Sequence, residues 1–282
     1  TATTDNFQAS LRADNPMTVT GTVRQSNDAA AGSNTRLQLE GDAQGSLISG
    51  NVMDSAGGRV MSISKAGIGS WTLSGTNTYT GTTTLSGGTL SINSIGNVNG
   101  GSSALGNPSS AANGTIAIGS TTTAATLVYT GSAATTDRVI NLAGTTGGAT
   151  LDQSGSGLLK FTSALTATGG GSKTLTLQGS TNGTGEIAAA IVDNSGTHKT
   201  SVVKGGTGAW TLSGTNTYTG GTTVSGGTLA VNGSLASASS VTVQNGGTLQ
   251  GSGIIGGSVT IQNGGTLATG NSIESLATGA LS

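Results

Sequence analysis

Apolar residues recur along this chain at every second position, for only a few positions at a time. Val241 and Val243 alternate with polar neighbours, Asn245-Gly246-Gly247 interrupts them, and Leu249 opens the next short run. One repeat further on, Val259 and Ile261 lead into Asn263-Gly264-Gly265 and Leu267. A period of two places successive side chains on opposite faces of a strand, and Asn-Gly-Gly supplies the backbone angles of a tight corner. The pattern reads strand, turn, strand, and these six turn residues mark the corner of a rung. Helix has little support, since the one helix-like stretch, Glu186 to Val192, is short and β-branched.

The pattern repeats on two scales. SVTVQNGGTL at 240–249 returns as SVTIQNGGTL at 258–267, and the GGTL that ends the first of these is already present at 226–229. A longer unit is doubled at an offset of 139, where Trp71 to Gly81 is identical to Trp210 to Gly220. Similarity extends upstream, so that 35–93 and 173–232 are two copies of one unit. A repeat of about 18–20 residues is the length of one coil of a solenoid, whose strands stack on those of the next coil. The expectation is an all-β, single continuous β-solenoid over residues 1–282. At ~4.8 Å between strands, roughly 14 such rungs would make a rod on the order of 65 to 70 Å long. Leu73, Leu85, Leu90 and Ile92 in the first copy, with Leu212, Val224, Leu229 and Val231 in the second, are expected to point inward and stack as aliphatic ladders. The Gly/Ser/Asn-rich stretch at 94–113, which contains Pro108, is expected to protrude as a loop.

Composition supports this and excludes several functions. With 51 Gly, 2 Pro, 2% aromatic and 7% charged residues, and Thr about as frequent as Gly, the chain is unlike an average globular domain. A net charge of -1, with β-branched residues throughout, is the composition of a folded chain rather than a disordered one. No cysteine is present to form a disulfide or a thiolate metal site. Ten basic residues scattered singly, at a pI of about 5.6, give no electrostatic footprint for nucleic acid. No apolar run approaches the ~20 residues of a membrane helix, and Thr1 to Asn6 is not a signal peptide, so direct membrane insertion is not expected and the chain reads as a mature product or excised fragment.

The segment KxGxGxWTLSGTNTYTGxTTxSGGTL, present at Lys65 to Leu90 and at Lys204 to Leu229, resembles the autotransporter-associated β-strand repeat of bacterial autotransporter passenger domains. TTDRVINLAG at 135–144, the QNGGTL rungs and GNSIESL at 270–276 are similar to that family too. The resemblance implies a right-handed parallel β-helix, secretion across the outer membrane and a place at the bacterial cell surface or in the extracellular matrix. Thr269 stands where the family has Pro and Glu274 where it has Gly, and no stretch of ~10-residue amphipathic barrel strands is found in the sequence.

Candidate chemistry is sparse. Among the eleven carboxylates, Glu40 and Asp42 are the pair at strand spacing that share a side, and with Arg36 and Arg59 they read as a solvated ion-pair patch ahead of a catalytic dyad. His198 is the sole histidine, which removes any His-based metal triad, and SGTHKTS around it reads as a turn. Asp137-Arg138 reads as an arginine that caps a turn or pairs its own aspartate. Trp71, Tyr79, Trp210 and Tyr218 could stack on sugar rings if exposed, but their recurrence with the same flanking strands favours packing. Thr-x-Thr at 76–80 and 215–219 raises ice binding, yet the pairs fall in two segments and not on successive rungs. No catalytic residue, cofactor or metal is expected. The leading reading is a non-enzymatic structural module whose partners are further copies of itself, end to end or lateral. An adhesin binding host or matrix glycans, and a polysaccharide lyase or hydrolase, are the alternatives.

Overall fold

The computed structural model describes residues 7–25, 35–268 and 277–282, and is built from parallel strands in four stacks. An early sheet of seven strands runs from Phe7–Arg12 to Thr166–Ala167. A long sheet of eleven extends from Thr18–Val19 to Val259–Ile261. A late sheet of seven runs from Ala134–Thr136 to Thr266–Leu267, and a small sheet of three closes the C-terminal rungs. In the middle of the chain, successive strands visit the early, long and late sheets in turn before returning one rung further on, as at Ile140–Leu142, Ala149–Gln153, Gly157–Phe161 and Thr166–Ala167. Parallel neighbours cannot be joined by hairpins, so the chain winds as a β-solenoid. Glu186, in the helix-like stretch, lies in the strand Gly183–Ile187. The one helix among the described residues is the short turn Ala111–Gly114.

Stacking in register turns alternation into ladders. Leu90 lies on Leu127, Leu127 on Leu151 and Leu151 on Leu177, all inside the rod. All eight positions expected to point inward are fully buried. Each such aliphatic side chain contributes roughly 1.5–3 kcal/mol on burial.

The rung length departs from expectation. Rungs of the short kind read from the sequence hold from Val202 through Thr222 and Val241 to Val259, and from Trp71 to Leu90. Elsewhere the long sheet advances by longer rungs, as from Thr18 to Leu47, Leu47 to Thr72, Leu127 to Leu151 and Leu175 to Val202. The longest runs from Gly88 to Ala125. Extra residues leave at corners without disturbing strand stacking. The eleven strands of the long sheet therefore span ten steps, about 48 Å at ~4.8 Å each, and not the fourteen rungs a uniform repeat would give.

That longest step holds the stretch expected to protrude. Ile95, Ala104 and Leu105 of 94–113 are buried, whereas Asn97, Asn99, Gly100 and Ser109 to Ala112 are exposed. The segment folds back on the rod, with Asn77 bridged to Ser103. The 270–276 stretch and Thr269 lie outside the described residues.

Candidate functional site

The doubled motif concentrates buried polar side chains, and these bond to the corners and rungs beside them. Lys65 is fully buried, and its Nζ donates to the carbonyls of Ala66 at 2.6 Å, Gly67 at 3.1 Å and Gly87 at 3.2 Å. Lys204 does the same with Gly205 at 2.5 Å and Gly226 at 3.1 Å. Burial pushes both ammonium groups down, to about 8. Gly88 and Gly227 adopt φ of 63° and 59° beside these lysines, and a side chain at either would strike the Nζ and two carbonyls. The lysine thus ties the turn before one strand to the Gly-Gly corner one rung on.

Trp71 and Trp210 lie in the core, and their Nε1 groups donate to the carbonyls of Glu40 at 3.2 Å and Gln178 at 2.8 Å. Each ring fits because the residue in register on the previous rung is small: Ser46 for Trp71, Gly185 for Trp210. Tyr79 and Tyr218 are equally buried and share hydrogen bonds with Thr83 at 2.9 Å and Thr222 at 2.6 Å. Burial raises both phenols to about 12. None of these four rings is presented to solvent.

Two residue pairs that motif reading overlooked complete the unit. The Asn77 carbonyl accepts from Val52 N–H at 2.7 Å while its amide donates to Ala104, and Asn216 likewise joins Ile191 to Gly214 and Ser234. Asp54 receives Met61 N–H at 2.7 Å and the Thr80 hydroxyl at 2.7 Å, and Asp193 receives Thr200 N–H and the Thr219 hydroxyl in the same way. Burial pushes the Asp193 carboxyl up, but the bonds from Thr219 and Thr200, with Lys199 at 3.8 Å, bring it below the usual carboxylate range. The signal was present, since both aspartates sit in the similar segments 52–58 and 191–197.

The C-terminal corners also stack. Gly246 and Gly264 both have φ of 81°, and Gly246 N–H donates to the Gly264 carbonyl at 3.0 Å. Gly247 and Gly265 close their own turns onto Gln244 and Gln262, and the Asn245 side chain lies against Gly264. Asn263 is exposed at the equivalent corner.

The remaining candidates are dispersed. Glu40 is held by Ser10 and by Gln38 at 3.0 Å, and Arg36 by Gln8, so the expected Glu40–Arg36 pairing is not made. The register of the early sheet instead sets Arg12 beside Glu40, and Arg12 with Glu40, Gly41, Asp42, Gly67 and Ile68 lines an open cleft of about 250 Å³. Arg12 itself pairs with Asp14 at 3.1 Å. His198 closes a turn, its carbonyl accepting from Asn194 and Ser195. Arg138 is fully buried and caps the carbonyls of Gly114 at 2.8 Å and Leu105 at 2.9 Å, pinning the folded-back segment, while Asp137 accepts from Val98 N–H. Burial lowers the Arg138 guanidinium. Among the described residues, no cluster of three His, Cys, Asp or Glu side chains is placed to hold a metal ion, and no helix is long and apolar enough to cross a membrane.

A family model described as passenger-associated-transport-repeat matches residues 63–92 and 202–231, the two stretches that carry Lys65, Trp71, Asn77 and Tyr79 and their counterparts Lys204, Trp210, Asn216 and Tyr218. The chain carries two passenger-associated-transport-repeats, and in these it is similar to autotransporter passengers. Each transport repeat begins just before its buried lysine and ends just after the Gly-Gly corner that the lysine reaches. Over 97 residues the chain is 37% identical to "Adhesin BmaC autotransporter" of Brucella suis biovar 1, a match that covers 33% of this chain and 3% of that protein. The chain thus spans a small fraction of the length of the curated relative it matches. No solved structure matches it.

Proposed function

We propose that the chain is a non-enzymatic structural segment of a bacterial cell-surface passenger, a stiff rod that carries and spaces rather than reacts. The observation that supports this is the use of the doubled unit's polar groups: Lys65, Asn77, Asp54 and their counterparts Lys204, Asn216 and Asp193 all bond to neighbouring corners and rungs. Groups so committed hold strands together and leave no reactive constellation at the motif. Association of copies into a stalk or fibre belongs to the same reading, favoured by a net charge of -1, which does little to oppose self-contact. Light scattering across concentration, with electron microscopy of the purified chain, tests it. Growing particle mass and elongated particles are expected, and monodisperse monomers at every concentration would remove the fibre from the proposal.

Adhesion is the second reading, favoured by the likeness to a protein named an adhesin. Adherence of cells displaying the chain, measured against cells without it, decides between a bare spacer and a spacer that also binds.

A further inference from the structure

The two copies of the doubled unit act as each other's control, because features needed for folding recur in both and features present in one serve something else. Stacking and the tryptophan hydrogen bonds make Glu40 equivalent to Gln178, since each offers its carbonyl to the repeat's Trp. Arg12 lies in register with Glu40 as Asp152 does with Gln178. The offset of 139 places Thr207 where the first copy has Ile68, and Ser180 follows Gly179 as Asp42 follows Gly41. The second copy therefore builds the same corner from Asp152, Gln178, Ser180 and Thr207. The first copy carries Arg12, Glu40, Asp42 and Ile68 there, around the 250 Å³ cleft.

The second copy builds the same corner without those four residues. Ile68 is 73% exposed, the most exposed of the large hydrophobic side chains in the described residues. A β-branched apolar side chain held out at a turn, where the equivalent turn uses threonine, is a small platform facing solvent. Glu40 is oriented by Ser10 and Gln38 before any ligand arrives. The rim thus combines an oriented carboxylate at Glu40, a second carboxylate at Asp42, a guanidinium donor and an apolar patch around a shallow, open cleft.

We propose that this cleft binds one neutral sugar ring, an inference that rests on the adhesion reading and supplies its site. Carboxylates accept hydrogen bonds from vicinal hydroxyls, Arg12 donates to a ring or hydroxyl oxygen, and Ile68 covers the C–H face of the ring. Charge selects the class of sugar. Arg12 is outnumbered by Asp14, Glu40 and Asp42, so the local field repels uronic and sialic acids. With so few atoms engaged, the affinity of a single ring is on the order of millimolar.

The test is saturation-transfer NMR on the full chain with methyl glycosides of glucose, galactose and mannose, and with N-acetylneuraminic acid as the acidic control. The variant Glu40→Gln/Asp42→Ser/Ile68→Thr gives the first copy three of the second copy's four residues at this corner, where the second copy folds with them. Ile68→Thr alone, at an exposed position, guards against loss of folding in the triple variant. Transfer to at least one neutral glycoside is expected, weakened at least tenfold in the triple variant and severalfold in Ile68→Thr. Transfer to none of the neutral probes, equal transfer in the variants, or preference for N-acetylneuraminic acid overturns the proposal. If displaying cells still adhere while no neutral sugar binds, the cleft falls and the adhesion reading stands.

Discussion

The segment from Trp71 to Gly81 and its identical partner from Trp210 to Gly220 fold alike on different walls of the rod. In the first copy, Met61–Lys65 belongs to the early sheet and Ser70–Leu73 to the long one. In the second, Thr200–Lys204 belongs to the long sheet and Ala209–Leu212 to the late one. Following the long sheet from Trp71 through Leu90, Leu127, Leu151 and Leu177 to Lys204 takes five steps, and Trp210 lies one wall beyond. The duplication is thus five rungs and one wall. The motif encodes a corner with the two strands that flank it, and it is indifferent to which sheet receives them. What it demands is local: a small residue stacked on the Trp, an aspartate from the previous rung, and a Gly-Gly corner within reach of the lysine.

If the two corners are equivalent, Trp71→Ala and Trp210→Ala should each cost about 3–5 kcal/mol, and chemical denaturation should show the two losses matching within about 1 kcal/mol. A larger gap would mean that the walls are not interchangeable. The residue stacked on each ring sharpens the comparison. A Cβ at Gly185 would overlap the Trp210 ring, so Gly185→Ala should destabilise by about 1–3 kcal/mol, while Ser46→Ala, where a Cβ already exists, should shift the denaturation midpoint little.

The buried titratable groups predict one pH profile for both copies. Lys65 and Lys204 stand at about 8 in the folded chain against 10.5 unfolded, so the unfolded chain binds more protons between those values and stability rises with pH across that window. Tyr79 and Tyr218 stand at about 12 against 10, so their contribution is complete below pH 10 and is lost as pH climbs towards 12. Melting temperature should therefore peak at about pH 10. In Lys65→Met/Lys204→Met the rise should shrink to the part carried by the buried Lys173, and the fall should stay. The smallest effect is expected at Lys199, which reaches Asp193 from a half-exposed position where the first copy has Val60. Lys199→Ala should change stability by less than about 1 kcal/mol, as judged by the same denaturation curves.

Alternation and turn chemistry made the strands, the corners and the eight inward positions legible, because period two and Asn-Gly-Gly carry their structural meaning locally. The longer rungs, such as the one from Gly88 to Ala125, were not legible, since residues looped out at a corner follow no period. The shift by one wall was hidden for a related reason: an identical segment looks the same in any sheet. Lys65 was visible as the first letter of a repeated motif, but its role depends on carbonyls at Gly67 and Gly87 that only winding brings together. Arg12 shows the same limit at the cleft, for it is remote from Glu40 along the chain and meets it through strand register alone.

Because the doubled unit advances by a whole number of coils plus one wall, growth by this repeat would not line up equivalent surfaces along a single flank. Each further copy would turn its corner to a new compass bearing, like successive steps of a spiral stair. A rod extended in this way would offer the same feature around its circumference, and its reach towards a neighbouring surface would not depend on which way it happened to be facing.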